Sequence, residues 1–459
     1  MKKLIHTPEG VRDIFGRECD KKRYLERQIE KLYRSYGYQS IETPAFEFFE
    51  VFASEVGTTP SKDLYKFFDR DGNTLALRPD FTPAVAQAVA MYFSNEEMPL
   101  RFCYHGNVYR NNHAYQGRLK ESTQMGVEFL NDDSPEADAE IIALVVSTMR
   151  RSGLINFQVS IGHVDYFNAL TAEAGMDEDT IAELRALLTI QNRFGAQELI
   201  DKLNMRSDLR KAFEELPELF GDTAVLERAK KLTTNETAKA AVERLQRIFK
   251  ILKMHGCADY VTFDLGMVTE YSYYTGIIFQ AYTYGSGDAL IKGGRYNRLL
   301  EHFGKKAAAV GFATEIDPLL NAIERQRIQL PVKDIKTMVL YPVQMEQMAI
   351  RFAADQRMRG LDVACVRFDP ARVLDEYRAY GQRNQFGGII YFRSESEVYA
   401  INLMTGQTET IDPFAGQSGN PMNSTGAVAG RNGNPVNNTG AVAGQNGNPV
   451  NNVENGGSR

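Results

Sequence analysis

The sequence predicts an α+β protein: an antiparallel sheet with flanking helices, interrupted by a helical insertion and followed by a small α/β domain. Three observations predict it. Strand patterns at 101–110 and 121–130 are joined by the polar loop "NNHAYQGRLK", which reads as an antiparallel pair. A charged helical stretch from about 166 to 255 ("RKAFEELPELF", "AKAAVERLQRIFKILKMHG") separates that pair from a second strand-rich region at 261–296. Residues 337–412 then alternate strand and helix patterns ("TMVLYPV", "MEQMAIRFAADQRMRG", "DVACVRF", "VLDEYRAYGQRN", "GGIIYFR", "VYAINL"), as a small domain of three to five strands does.

The elements follow in order. Leu25, Ile29, Leu32 and Tyr36 give 19–36 the spacing of an amphipathic helix, and Gly37 stands where a helix end tolerates positive φ. "YQSIETPAFEFFEVF" (38–52) reads as a strand broken at Pro44 and then a short helix, and "TLALR" (74–78) as another strand. "TPAVAQAVAMYF" follows, with Thr82 expected as N-cap and Pro83 at the first helical position. Ser134-Pro135 opens a helix whose apolar face is Ile141, Ile142, Val145 and Met149. The Gly-rich "KGGRYN" (292–297) is expected to be a tight turn beside a pocket, since its two glycines lack the spacing of a phosphate loop. Residues 309–326 close the first unit with the helix in "EIDPLLNAIERQR", and "IQLPVKDIK" reads as a linker. The expected organisation is a core at 1–326 carrying the insertion at 166–255, a domain at 337–412, and a tail at 413–459. The tail repeats every 14 residues with Pro421, Pro435 and Pro449 in register. It is rich in Gly and Asn and too poor in bulky apolar groups to bury a core, so disorder is expected.

Composition narrows the function. With 459 residues, 43% apolar and 24% charged, the chain can form a sizeable core, and its formal charge of −6 gives no global attraction to nucleic acid. "MKKLIHTPEG" is not expected to be a signal peptide, and the longest apolar run, "IIALVV" at 141–146, is far short of a membrane span. Cys19, Cys103, Cys257 and Cys365 are scattered, with no CxxC and only a chance His255-Gly-Cys257 neighbour. A reduced, cytoplasmic protein with neither metal nor cofactor is expected.

Several constellations carry a choice between a bland and a chemical reading. Alternation along "ESTQMGVEFL" puts Thr123, Met125, Val127 and Phe129 on one face and Gln124, Gly126 and Glu128 on the other. That second face is either a solvated strand face or a floor where a ligand approaches the backbone at Gly126. Gln124 and Glu128 would be about 13 Å apart at Cα and lean over a small ligand. Arg110 is either a surface ion-pair partner or a bidentate holder of a carboxylate or phosphate. Asp80 either favours a helix N-terminus or forms, with Thr82, an acceptor pair for an ammonium. In "MVTEYSYYTG" (267–276), strand alternation would put Tyr273 and Tyr274 on opposite faces.

Taken in order, "TPEGVRDIF" (7–15), "LRPDFTP" (77–83), "VYRNNHAYQGRLKESTQMGVEFL", "YYTGIIF" and "KGGRYNRLL" resemble histidyl-tRNA synthetases, a class II aminoacyl-tRNA synthetase family. The resemblance spans about 5–325, and 337–412 looks like that family's anticodon-binding domain. It implies the class II antiparallel sheet and a homodimer interface near Pro44. It also implies a histidine pocket: Gln124, Glu128, Tyr273 and Tyr274 around the imidazole, Asp80 and Thr82 on the ammonium, Arg110 on the α-phosphate of ATP. Asp80 stands where the synthetases usually carry Glu. The departures are one-sided. Aligned on "YYTG", an activating arginine of the synthetases falls at Thr269 and the glycine after it at Glu270. The closing Glu-Arg pair becomes Asp317-Pro318, and Asn112 and His113 replace a Glu and an Arg in the loop. Loss of one preorganised donor of this kind costs about 10²–10³ in rate. The pattern resembles the non-catalytic regulatory subunits of ATP phosphoribosyltransferase, with no catalytic residue of their own. That resemblance implies assembly with the short-form catalytic subunit, a role in the first step of histidine biosynthesis, and L-histidine as the effector. The competing readings are a divergent but active histidyl-tRNA synthetase and a module sensing uncharged tRNA. The second would need a basic face on 337–412, for which "RMRG" and "YGQRNQFGG" supply few cations.

Overall fold

The computed structural model describes residues 6–52, 59–111, 119–268, 273–332 and 336–414. Thr269, Glu270, Asn112, His113 and the repeat tail lie outside them. The chain divides into two compact units, Met1–Lys333 and Asp334–Arg459.

In the first unit, helix α1 (Gly16–Ser35) leads through the two-residue strand β1 (Gln39–Ser40) into a small three-stranded sheet of β2 (Phe46–Phe48), β3 (Lys66–Phe68) and β4 (Thr74–Leu77), ordered β2-β4-β3. Helix α2 (Thr82–Tyr92) precedes the long hairpin of β5 (Leu100–Tyr109) and β6 (Glu121–Leu130), and α3 (Pro135–Arg151) and β7 (Phe157–His163) follow. The insertion comprises α4 (Val164–Glu173), α5 (Glu178–Thr189), α6 (Arg193–Lys202), α7 (Ser207–Glu215), the short β8 (Phe220–Gly221), α8 (Thr223–Lys231) and α9 (Glu236–Met254). Then come β9 (Val261–Asp264), β10 (Ile277–Thr283), β11 (Ile291–Arg295), β12 (Ala309–Glu315) and α10 (Ile316–Arg325). Among the described residues the main sheet has nine strands in the order β1-β5-β6-β12-β11-β10-β7-β9-β8. Its centre, from β5 to β7, is antiparallel throughout.

The alternation expected along β6 decides what each face of the sheet covers. Met125, Val127 and Phe129 join the large core with α1, α3 and the insertion helices, while Leu130 faces a smaller core with Phe81, Val85, Tyr104 and Tyr296. The insertion is not a separate lobe: Leu245 and Ile248 of α9 share the large core with Ile141 and Val145 of α3, and β8 extends the main sheet through β9. A buried ionic network reinforces this seam. Arg295, 1% exposed, reaches Asp138 on α3 through Nε at 2.8 Å, and Arg244 on α9 meets the same carboxylate at 2.7 Å.

Local chemistry differs from expectation at three places. Thr82 is the first residue of α2 rather than its cap, because its hydroxyl is spent elsewhere; Phe81 precedes the helix, and the Asp80 carboxylate accepts from the backbone N–H of Phe81 at 2.7 Å. The α3 cap is as expected, with Ser134 accepting from the Ala137 N–H at 3.1 Å. "KGGR" is not a turn but the body of β11, and Gly293 and Gly294 are there because neighbours press on the strand. A Cβ on Gly294 would lie 2.7 Å from the Tyr274 ring. Finally, β10 begins only at Ile277, so strand alternation does not govern the tyrosine pair. Tyr273 and Tyr274 lie together, ring centroids 4.4 Å apart.

Arg78, just past β4, ties distant segments together. Its Nε donates to the Asn107 carbonyl at 2.8 Å and its Nη1 to the carbonyls of Thr43 (2.7 Å) and Pro44 (3.2 Å), while the guanidinium sits 4.0 Å above the Phe81 ring.

The second unit is a sheet of β13 (Lys336–Tyr341), β14 (Asp362–Arg367), β15 (Phe386–Phe392), β16 (Val398–Asn402) and β17 (Thr408–Thr410), ordered β14-β13-β15-β16-β17. Its first three strands are parallel and its last two antiparallel. Helices α11 (Glu346–Met358) and α12 (Leu374–Arg383) make the crossovers. Among the described residues no helix is long and apolar enough to cross a membrane.

Candidate functional site

Six of the seven residues expected at a ligand site line one pocket: Asp80, Thr82, Arg110, Gln124, Tyr273 and Tyr274. The seventh, Glu128, lies beneath it. Strand β6 supplies the floor, with Gln124 and Glu128 on the face away from the large core. Gly126 between them is not open floor. The position its Cβ would take is filled by the hydroxyl of Tyr104 from β5, which donates to the Phe312 carbonyl at 3.4 Å. Backbone is bared at the pocket by Gly293 of β11 and Gly311 of β12 instead.

Glu128 is 1% exposed and both its oxygens are engaged. Oε1 accepts from the Thr82 hydroxyl at 2.7 Å, and Oε2 from the Tyr296 hydroxyl in a short contact. A side chain at Gly311 would collide with Oε2, so that glycine is what admits the carboxylate to its place. Burial pushes the Glu128 carboxyl up to about 8, the two hydroxyl donors opposing and the charge of Asp80 adding to the rise. Glu128 thus holds its proton to a higher pH than an exposed glutamate does. Asp80 is also raised, first by burial and then by Glu315, with Arg110 and the backbone N–H groups of Thr82 and Phe81 pulling it back.

The mouth of the pocket carries a group the sequence reading passed over. Glu315, at the end of β12, is directly opposite Gln124 in the β12–β6 register. Its Oε1 accepts from Gln124 Nε2 at 3.1 Å and stands 3.2 Å from Arg110 Nη1, while Arg110 Nε donates to the Pro79 carbonyl at 3.0 Å. A carboxylate can only accept, so the Gln124 amide must turn its nitrogen to Glu315. Its oxygen is then left buried with no donor among the described residues. Tyr296 and Lys292 also line the pocket. Glu315 and Tyr296 were missed because they sit inside "VGFATEIDPLL" and "KGGRYNRLL", whose neighbouring residues drew the reading; period-two alternation from Ala313 to Glu315 was the available signal. Asp317, two residues on, is turned away into the fold. It accepts from Lys22 Nζ and from the Thr123 N–H, each at 2.8 Å.

Such a site can hold a small polar ligand that brings hydrogen-bond donors to Asp80, Gln124 and Glu315 and an aromatic or apolar surface to the tyrosine pair. Among the described residues no group of three or more His, Cys, Asp or Glu side chains is placed to hold a metal ion.

Comparison with known proteins identifies the family and the fold. A family model described as Histidyl-tRNA synthetase matches residues 10–319. The histidyl-tRNA synthetase of Nostoc, at 19% identity, superposes with a TM-score of 0.75 over 89% of this chain and 97% of that one, a likeness of fold. The class is thus a histidyl-tRNA synthetase-like protein with the class II fold. The ATP phosphoribosyltransferase regulatory subunit of Acetivibrio thermocellus is 37% identical over 411 residues, covering 89% of this chain and 97% of that protein. That of Ruminiclostridium cellulolyticum is 36% identical over 405 residues, 88% and 96% of the two chains. A Bacillus halodurans structure described as an ATP phosphoribosyltransferase regulatory subunit/histidyl-tRNA synthetase superposes with a TM-score of 0.76 at 33% identity, covering 84% of this chain and 98% of that one. The chain belongs to the family of ATP phosphoribosyltransferase regulatory subunits.

Proposed function

We propose that the chain is a non-catalytic subunit that assembles with the short catalytic subunit of ATP phosphoribosyltransferase, is needed for its activity in the first step of histidine biosynthesis, and holds histidine as the feedback effector in the pocket of β6. The observation that carries the effector reading is the buried Gln124 oxygen without a donor. An unsatisfied buried acceptor costs about 1–3 kcal/mol, which a ligand bringing an N–H recovers. Histidine brings both an ammonium and an imidazole N–H, and Tyr273 and Tyr274, which line the pocket, offer the ring aromatic neighbours. The non-catalytic reading is supported at α10. Where the synthetases end in a Glu-Arg pair, Asp317 is tied inward by Lys22 and Thr123, and Pro318 carries no cation. Regulation then follows from linkage: histidine shifts the complex toward whichever assembled state binds it better, by that difference in affinity and no more.

A homodimer is proposed through the small sheet near Pro44. Phe46 and Phe48 of β2 and Phe67 of β3 share one face and remain 50%, 52% and 38% exposed, an apolar surface of the kind that marks an interface.

The test uses the full-length protein. L-histidine is titrated by calorimetry and ATP–pyrophosphate exchange is assayed on the same sample, followed by reconstitution with the catalytic subunit. Binding without exchange, and loss of reconstituted activity on adding histidine, are expected. Replacing Gln124 by Ala should weaken histidine binding about tenfold or more, a lost hydrogen bond's worth. Histidine-dependent exchange would overturn the proposal in favour of an active, divergent synthetase.

A further inference from the structure

Arg110 faces the pocket, and a guanidinium in such a place is ordinarily a site for phosphate or carboxylate. Here the chain supplies the anion. Glu315 reaches Arg110 Nη1 at 3.2 Å from β12, while Arg110 follows β5, and these two strands flank the β6 strand that carries Gln124. Gln124 braces the arrangement by donating to the same Glu315 oxygen at 3.1 Å. Among the described residues, the charged groups lining the pocket are then Asp80 and Glu315 against Arg110 and Lys292, a balanced set.

We propose that Glu315 is a specificity-determining residue, a built-in counter-anion to Arg110 that turns away phosphate-bearing ligands, nucleoside triphosphates above all, and leaves the pocket selective for a zwitterion. A triphosphate approaching Arg110 must either sit beside the Glu315 carboxylate or displace it. The first sets like charges together, and the second strands a carboxylate that had two donors. A free amino acid meets neither obstacle. Its ammonium joins the Asp80 and Glu315 carboxylates, and its carboxylate turns to Lys292. What the pocket admits rests on the effector reading given above. What it excludes stands on Glu315 and Arg110 alone.

The deciding experiment compares ATP binding to the full-length wild type and to Glu315→Gln, which keeps the shape and hydrogen-bonding capacity of the side chain and removes its charge. Both are titrated with ATP and, separately, with L-histidine. ATP affinity is expected to rise by about tenfold to a hundredfold in Glu315→Gln, as removal of one like charge near a phosphate predicts at protein-surface dielectric. The gain should fall with added salt and vanish when Arg110→Gln is combined with it. Equal ATP affinity in wild type and variant, with unchanged circular dichroism and melting temperature, would overturn the proposal. So would a gain that survives the Arg110 replacement. Glu315→Ala, read in the same way, decides the matter if the glutamine variant does not fold. Absence of histidine binding to the wild type would sink the effector reading and the admission of a zwitterion, while the ATP comparison would still judge the counter-anion.

Discussion

Glu128 is an acid held where water cannot reach it, and its titration should be visible in the stability of the whole unit. In the unfolded chain it ionises near 4.5, and in the fold burial raises this to about 8. Between those values the folded state keeps a proton that the unfolded chain has released, so stability falls as pH rises through that window and levels off above it. The slope from this one group is at most about 1.4 kcal/mol per pH unit. Urea denaturation of wild type and Glu128→Gln from pH 5 to 9 should therefore diverge, the variant losing less stability as pH rises. Parallel curves would mean that Glu128 stays ionised in the fold. This residue also marks a limit of legibility. Alternation in "ESTQMGVEFL" was enough to place Gln124 and Glu128 on the pocket side. It gave no hint that Thr82 and Tyr296, distant in sequence, would take up both carboxylate oxygens, nor that Tyr104 would fill the gap over Gly126.

Strand β11 is the element whose role was least legible. Two adjacent glycines between charged residues resemble a turn, and only the approach of the Phe279 ring, the Gly311 carbonyl and the Tyr274 ring explains why a strand needs them. The same strand ends at Arg295, one of the largest fully buried side chains, whose pairing with Asp138 joins the sheet to α3 and, through Arg244, to α9. Removing one member of a buried pair costs up to about 3–5 kcal/mol, and here Arg244 stays on Asp138 to offset part of it. Arg295→Met should lower the unfolding free energy read from urea denaturation by no more than that, and a double variant with Asp138→Leu should cost less than the sum of the two singles. Additive losses would show that the network contributes packing and not charge pairing. The helical elements were easier to read, since α1 and α3 show their apolar spacing and the Ser134-Pro135 start openly. Thr82 was misassigned because a cap is a competition for one hydroxyl, and a buried carboxyl won it.

For the whole molecule, the order of strands could be anticipated only from the motif order, because pairing of β6 with β12 joins residues nearly two hundred positions apart. No local pattern encodes such a contact. The exposed phenylalanines of β2 and β3 give the prediction at this scale. Phe48→Glu should convert a dimer to a monomer in sedimentation velocity while the far-ultraviolet spectrum is kept, and an unchanged sedimentation coefficient would remove this face from consideration as the interface. That face and the ligand pocket are parts of one short run of chain. Leu77 pairs with Phe46 in the small sheet, Arg78 clasps the Pro44 segment and β5, Pro79 holds Arg110, and Asp80 enters the pocket. Four consecutive residues thus span from the proposed subunit contact to the proposed ligand, about 10 Å of chain. Messages between the two would need no domain rotation and no relay through the core: if the proposed dimer forms there, a displacement of Asp80 by a fraction of an ångström would already tug on that contact.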